Sequence, residues 1–90
     1  MPTAAITVVH APACHFCADA RDALAELGRE LPIEVELVAA ESDTGQALVA
    51  THRPGMFPLV LVDGVYFSTG RLPRRKLRAL LARHTVAGRP

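Results

Sequence analysis

The sequence predicts an α/β domain with the element order βαβαββα. Three observations carry that expectation: short apolar runs with strand character, an amphipathic stretch of helical periodicity after the first run, and an Asp-Gly pair joining the last two runs. Ninety residues, 50% of them hydrophobic, are enough for one core without staples, and residues 1–90 are expected to form a single domain. Aromatic residues are few (Phe16, Phe57, Phe67 and Tyr66, with no Trp), so the core must be aliphatic.

The elements follow in order. Residues 5–10 (Ala-Ile-Thr-Val-Val-His) are rich in β-branched side chains, which suit extended backbone, and Ala11-Pro12 ends them as strand one. From about His15 to Leu31, Cys17, Ala20, Leu24, Leu27 and Leu31 recur at steps of three and four. Asp19, Asp22, Glu26, Arg29 and Glu30 fill the other face, which predicts an amphipathic helix stopped by Pro32. Ile33-Glu34-Val35-Glu36-Leu37-Val38 alternates with period two and predicts a strand with one buried face. Ser42 or Asp43 then caps a helix running to about His52, with Gln46 as a capping-box partner three residues beyond Asp43. Arg53-Pro54-Gly55 breaks it.

Pro58 to Val62 and Val65 to Ser68 are β-rich runs, and Asp63-Gly64 between them is a strong hairpin signal because both residues tolerate positive φ. Gly70 opens the last connection, and Pro73 sits where a first helical turn tolerates it. Leu77, Leu80, Leu81 and His84 mark one face of the final helix, followed by a frayed tail over 86–90. A βαβ unit with a parallel crossover, then a hairpin, gives a mixed sheet flanked by helices.

No stretch approaches the roughly 20 apolar residues of a membrane span, and the apolar start lacks a basic leader. The expected setting is therefore the reducing cytoplasm, with no membrane partner, where a cysteine pair is more often catalytic or metal-binding than structural. The formal net charge of +1 hides an asymmetry: eight of the nine acidic residues precede position 44, and seven of the ten basic residues follow position 70. A solvated helix face is the first reading of Arg71, Arg74, Arg75, Lys76 and Arg78. A nucleic-acid or protein adaptor is the alternative; without interleaved aromatics or a reading motif, nucleic acid is not the expected partner.

The sharpest chemical feature is Cys14-His15-Phe16-Cys17 between a strand and the first turn of a helix. Two intervening residues let both sulfurs meet across one turn, so an intramolecular disulfide can close. Cys14 at the N-cap would face unpaired N–H groups and the positive end of the helix dipole, which stabilise a thiolate. Cys17, one turn inside, would be more buried and the weaker acid. Cys14 is thus the candidate nucleophile and Cys17 the candidate resolving thiol. Two other readings stay open: half of a zinc site, completed from His10, His15, His52 or His84, or a pair of inert core cysteines. No residue is assigned to a metal.

Strand, C-x-x-C, helix, strand, helix, then Phe57-Pro58 opening a hairpin with Asp63-Gly64, resembles the glutaredoxin branch of the thioredoxin superfamily from about Thr3 to His84. The resemblance implies a thioredoxin-like fold with a four-stranded mixed sheet, a redox-active disulfide, and a cis Phe57–Pro58 peptide against the cysteine pair; composition alone leaves Pro58 free to start an edge strand in trans. It implies an enzyme of cell redox homeostasis: a disulfide oxidoreductase and electron carrier acting on protein or glutathione mixed disulfides. No tightly bound cofactor is expected, and glutathione is a possible co-substrate. An iron–sulfur or metal-binding module is the alternative that the same family offers. Nothing demands more than a monomer.

Two departures from the family's pattern bear on the site. Glutaredoxins resemble one another in Pro and Tyr between the cysteines, where this chain has His15 and Phe16. A protonated His15 would help hold Cys14 as thiolate, and a neutral, solvated one would do little. Glutathione-binding members resemble one another in a Gly-Gly stretch and a polar residue after the hairpin; here Ser68-Thr69-Gly70-Arg71-Leu72-Pro73 matches clearly only at Gly70. Thr69 or Arg71 could still bind a carboxylate. The basic residue usually found just before the first cysteine is absent. The tail is similar to redoxins recharged by thioredoxin reductase, so either reductant stays open. The candidate substrate contacts are His15, Phe16, Phe57, Pro58, Thr69, Gly70 and Arg71. Of the rest, His10 is near Cys14 in sequence, His52 ends a helix where its charge is favourable, His84 is expected to pack, and Arg53 precedes the proline loop.

Overall fold

A computed structural model describes the backbone of residues 3–87 and the side chains of residues 3–83. The elements are β1 (Ala4–His10), α1 (His15–Leu27), β2 (Ile33–Ala39), α2 (Asp43–His52), β3 (Leu59–Val62), β4 (Val65–Thr69) and α3 (Arg74–Ala87). The strands form one four-stranded sheet in the order β2-β1-β3-β4. β1 runs parallel to β2, as a helical crossover requires, and β3 lies antiparallel to both β1 and β4. This α/β arrangement, a mixed sheet flanked by three helices, is compatible with a thioredoxin-like fold.

Period-two alternation divides the apolar residues between the two faces of the sheet. Ile6, Val8, Val60 and Val62 join Ala20, Leu24 and Leu27 of α1 and Leu77 and Leu81 of α3 in the larger cluster. Val9, Val38, Leu59 and Leu61 form a smaller cluster on the other face, with Leu48 and Val49 of α2 packed against it. β3 is therefore buried along its whole length, as a central strand covered on both faces should be.

Several local features differ from the sequence expectation. α1 ends at Leu27 rather than near Leu31, because Gly28 is a poor helix former and Pro32 disfavours helical backbone at the residue before it. The last turn tightens instead, with Arg29 N–H donating to Glu26 O at 3.1 Å and Glu30 N–H to Leu27 O at 3.0 Å. At α2 the cap is Ser42, whose Oγ accepts from Gly45 N–H at 3.0 Å. Gln46 then falls one residue too far along for a capping box, and its Nε2 donates to Glu41 O at 2.9 Å. The third difference is β2, whose apolar face was expected to be buried. Val35 and Leu37 are 41% and 46% exposed, because β2 is an edge strand.

Gly45 itself is required by close approach: a Cβ there would sit 2.9 Å from both the Ala39 carbonyl carbon and Ala40 Cα. Asp63 and Gly64 adopt φ of 51° and 81°, as the hairpin reading requires. α3 begins just after Pro73, whose carbonyl accepts from Leu77 N–H at 3.0 Å. It continues through Ala87, so residues 86 and 87, expected in the tail, are helical; the rest of the tail and the packing expected of His84 lie outside the described residues.

The charge asymmetry also resolves into geometry. Arg74 of α3 pairs with Asp19 of α1 at 2.7 Å, and Arg78 pairs with Glu30 at 2.8 Å. The hydrogen bond and the charge of Arg78 hold the Glu30 carboxyl below its usual range. Both pairs are exposed, so their contribution to stability is modest.

Candidate active site

The parallel pairing of β1 carries the chain to one end of the sheet, where His10 O accepts from Ala40 N–H at 2.8 Å. A short turn follows, and Ala13 adopts φ 53°, a left-handed conformation unusual for alanine. That turn delivers Cys14 to the N-cap of α1 with extended backbone (φ −100°, ψ 108°). Its Sγ accepts from Cys17 N–H at 3.1 Å, filling the capping role usually taken by a serine or aspartate oxygen.

Cys14 and Cys17 form a disulfide, with Cα atoms 5.2 Å apart, so the pair expected from the C-x-x-C spacing is brought together. The two sulfurs are not equivalent in setting. Cys14 is half-buried at the mouth of the turn, whereas Cys17 is 5% exposed and faces the core. No acidic residue occupies the first turn of α1, so nothing there offsets the positive end of the helix dipole at Cys14.

The loop before β3 closes the site from the other side. The Phe57–Pro58 peptide is cis, as the resemblance implied. Phe57 O lies 3.6 Å from Cys14 Sγ, and in the reduced protein a Cys14 thiol could donate to it. Pro58 is fully buried, and its carbonyl accepts from Gly70 N–H at 3.1 Å. Gly70 has φ 76°, where a side chain would be strained. Thr69 is half-buried at the end of β4, where it pairs with Leu59. Cys14, Cys17, Phe57, Pro58 and Gly70 thus form one connected group, with Thr69 at its border.

The other expected contacts are placed less closely. His15 is exposed, and its ring stands 6.1 Å from that of the half-buried Phe16. Arg71 is exposed and borders an open hollow at the start of α3 shared with Arg74, Arg75 and Lys76. His10 is half-buried at the end of β1, and Arg53 is the exposed, left-handed residue that ends α2. The His52 ring lies beside that of Tyr66, with centroids 6.3 Å apart and planes tilted by 32°.

One residue of the site was not anticipated. Met56 is 53% exposed, and its Sδ lies 3.3 Å from where a Cβ on Gly70 would stand. It therefore lies over Gly70 at the edge of the proline loop. An apolar side chain directly before Phe57-Pro58, paired with a glycine after the hairpin, was the available signal. Ala13 offered no signal, since alanine is rarely left-handed.

Among the described residues, no group of three His, Cys, Asp or Glu side chains is arranged to hold a metal ion. None of the described helices is long and apolar enough to cross a membrane. In comparison with known proteins, no family model matches the chain, and no curated protein matches it.

Proposed function

We propose that this chain is a glutaredoxin-like thiol–disulfide oxidoreductase with Cys14 as nucleophile and Cys17 as resolving thiol. The observation that carries the reading is the Cys14–Cys17 disulfide itself, at a helix N-cap, with one sulfur at the surface, the other in the core, and Phe57-Pro58 against the first. The disulfide is the oxidised half of a cycle. In the reduced half, Cys14 thiolate attacks a substrate disulfide; a bond forms between Cys14 Sγ and one substrate sulfur, and the other leaves as a thiolate that takes up a proton. Cys17 then loses its proton and attacks Cys14 Sγ, releasing the second substrate thiol. Two electrons pass to the substrate, and the Cys14–Cys17 bond re-forms. Two glutathione molecules, oxidised together to their disulfide, or the dithiol of a thioredoxin reductase would supply two further electrons and reopen the Cys14–Cys17 bond in a reducing compartment such as the cytoplasm.

The N-cap position supports Cys14 as the better leaving and attacking group, because Cys17 N–H and the helix dipole favour its thiolate. Substrate would meet Phe16, Met56 and Phe57 around the sulfur, an apolar rim suited to a protein or peptide disulfide. The test follows reduction of a small glutathione mixed disulfide, with glutathione in one series and with thioredoxin reductase and NADPH in another. Wild type, Cys14→Ser and Cys17→Ser are compared. Turnover lost in Cys14→Ser in whichever series supports wild type is the expected result. Equal rates for Cys14→Ser and wild type would remove the proposal.

A further inference from the structure

β2 is an outer strand of the sheet and pairs with β1 alone. Ala4 N–H donates to Pro32 O at 3.1 Å and Ala40 N–H to His10 O at 2.8 Å, with the β1–β2 register unbroken between them. In a parallel ladder that phase turns the backbone groups of Glu34, Glu36 and Val38 toward β1 and those of Ile33, Val35 and Leu37 outward. Among the described residues, no strand lies beyond β2. Of these three, Val35 and Leu37 also have exposed side chains, whereas Ile33 packs against the larger core cluster. Val35 and Leu37 line an open groove of about 170 Å³ with Leu24, Ala25 and Arg21 of α1. Glu34 and Glu36 are exposed on the opposite face of the same strand.

An added strand would meet two different surfaces at once: apolar on the α1 side and acidic on the other. Cross-strand neighbours on one face interact directly, favourably for opposite charges and unfavourably for like ones. A second copy of the chain is a poor occupant. Each antiparallel register that sets Val35 of one copy against Val35 or Leu37 of the other also places glutamate opposite glutamate. The cation-rich α3 is helical and cannot supply a strand.

We propose that β2 is a docking edge for an extended segment of a partner protein in which basic and apolar residues alternate. Its backbone pairs with the outward groups of Val35 and Leu37, its apolar side chains enter the groove beside α1, and its basic side chains face Glu34 and Glu36.

The test uses the full chain, ¹⁵N-labelled, with two capped seven-residue peptides, one alternating lysine and valine and the other glutamate and valine. The expected result is saturable amide shifts over residues 33–39 and 21–25 with the lysine peptide, together with slowed hydrogen exchange of the Val35 and Leu37 amides. Binding of the glutamate peptide should be at least tenfold weaker, and a Glu34→Lys/Glu36→Lys variant should reverse the preference. Both glutamates are exposed, so that variant should keep the dispersed spectrum of the folded chain. The proposal is overturned by equal binding of the two peptides, by no shifts, or by shifts without slowed exchange at Val35 and Leu37. It is also overturned if the same amides shift on raising protein concentration alone, which would make the occupant a second copy.

Discussion

Asp63 and Ala5, 58 residues apart, hold each other by two hydrogen bonds: Asp63 N–H donates to Ala5 O at 2.7 Å, and Ala5 N–H donates to Asp63 Oδ1 at 2.8 Å. The aspartate thus forms the hairpin turn and extends the β1–β3 ladder by one step, with its backbone N–H as donor and its side chain as acceptor. Both roles fit an aspartate at φ 51°, a conformation most side chains resist.

Asp63→Ala should therefore lose the Oδ1 acceptor and strain the turn, at a cost of about 2 kcal/mol. Asp63→Asn keeps an acceptor and tolerates positive φ, so it should stay within about 0.5 kcal/mol of wild type. Urea denaturation of the three proteins checks the order; equal losses for both variants would show that charge, not the acceptor, matters.

Gly45→Ala should be more damaging than an ordinary helix substitution, which would normally gain from alanine. The new Cβ would overlap the Ala39 carbonyl group, which is fixed at the end of β2 by Ser42 N–H at 3.0 Å and Ser42 Oγ–H at 2.7 Å. A loss of about 3 kcal/mol is expected, since backbone cannot move aside as a flexible side chain would. Thermal unfolding reads it as a fall of more than about 10 °C.

The Glu30–Arg78 pair should shape the acid limb of stability. Arg78 lowers the folded-state pKa of Glu30, so the pair's contribution is fully present above the unfolded value of about 4.3 and is lost as pH falls through the lower folded value. Glu30→Gln should remove that dependence, so the difference from wild type should shrink below about pH 4. Because the pair is exposed, it should also shrink in high salt. Denaturation midpoints measured against pH and salt check both trends.

Met56→Lys should separate folding from the proposed chemistry. The side chain is largely exposed, so stability should change by less than about 0.5 kcal/mol. If Met56 is part of the rim that meets a protein disulfide, kcat/KM for such a substrate should fall several-fold while kcat holds. Unchanged kcat/KM would take Met56 out of the substrate surface.

Local order was legible in the sequence where one residue's chemistry decides it. Asp63-Gly64 named its turn, Ser42 or its neighbour Asp43 marked the cap of α2, and the apolar spacing from Cys17 to Leu27 gave the buried face of α1. The cysteine pair was legible because a C-x-x-C at a helix start places both sulfurs within one turn. Features set by distant parts of the chain were not legible. The alternation of β2 reads the same for an edge as for an inner strand, and only the order β2-β1-β3-β4 leaves Val35 and Leu37 uncovered. The cations of α3 read as a solvated face because their partners are distant in the chain, Asp19 in α1 and Glu30 in the turn that follows it. Met56 reached the site only through the fold of the proline loop onto Gly70.

The unequal division of the core has a dynamic consequence. α2 buries only Gly45 fully and rests on the smaller apolar cluster through the half-buried Leu48 and Val49. Phe57, whose carbonyl lies against Cys14, packs on that same cluster. The α2 side should therefore be the first cooperative unit to open, with amides of α2 exchanging with solvent sooner than those of β1 and β3. Each such opening would loosen the seat of Phe57 while leaving α1, anchored in the larger cluster, in place. The two walls around Cys14 would then breathe on different clocks.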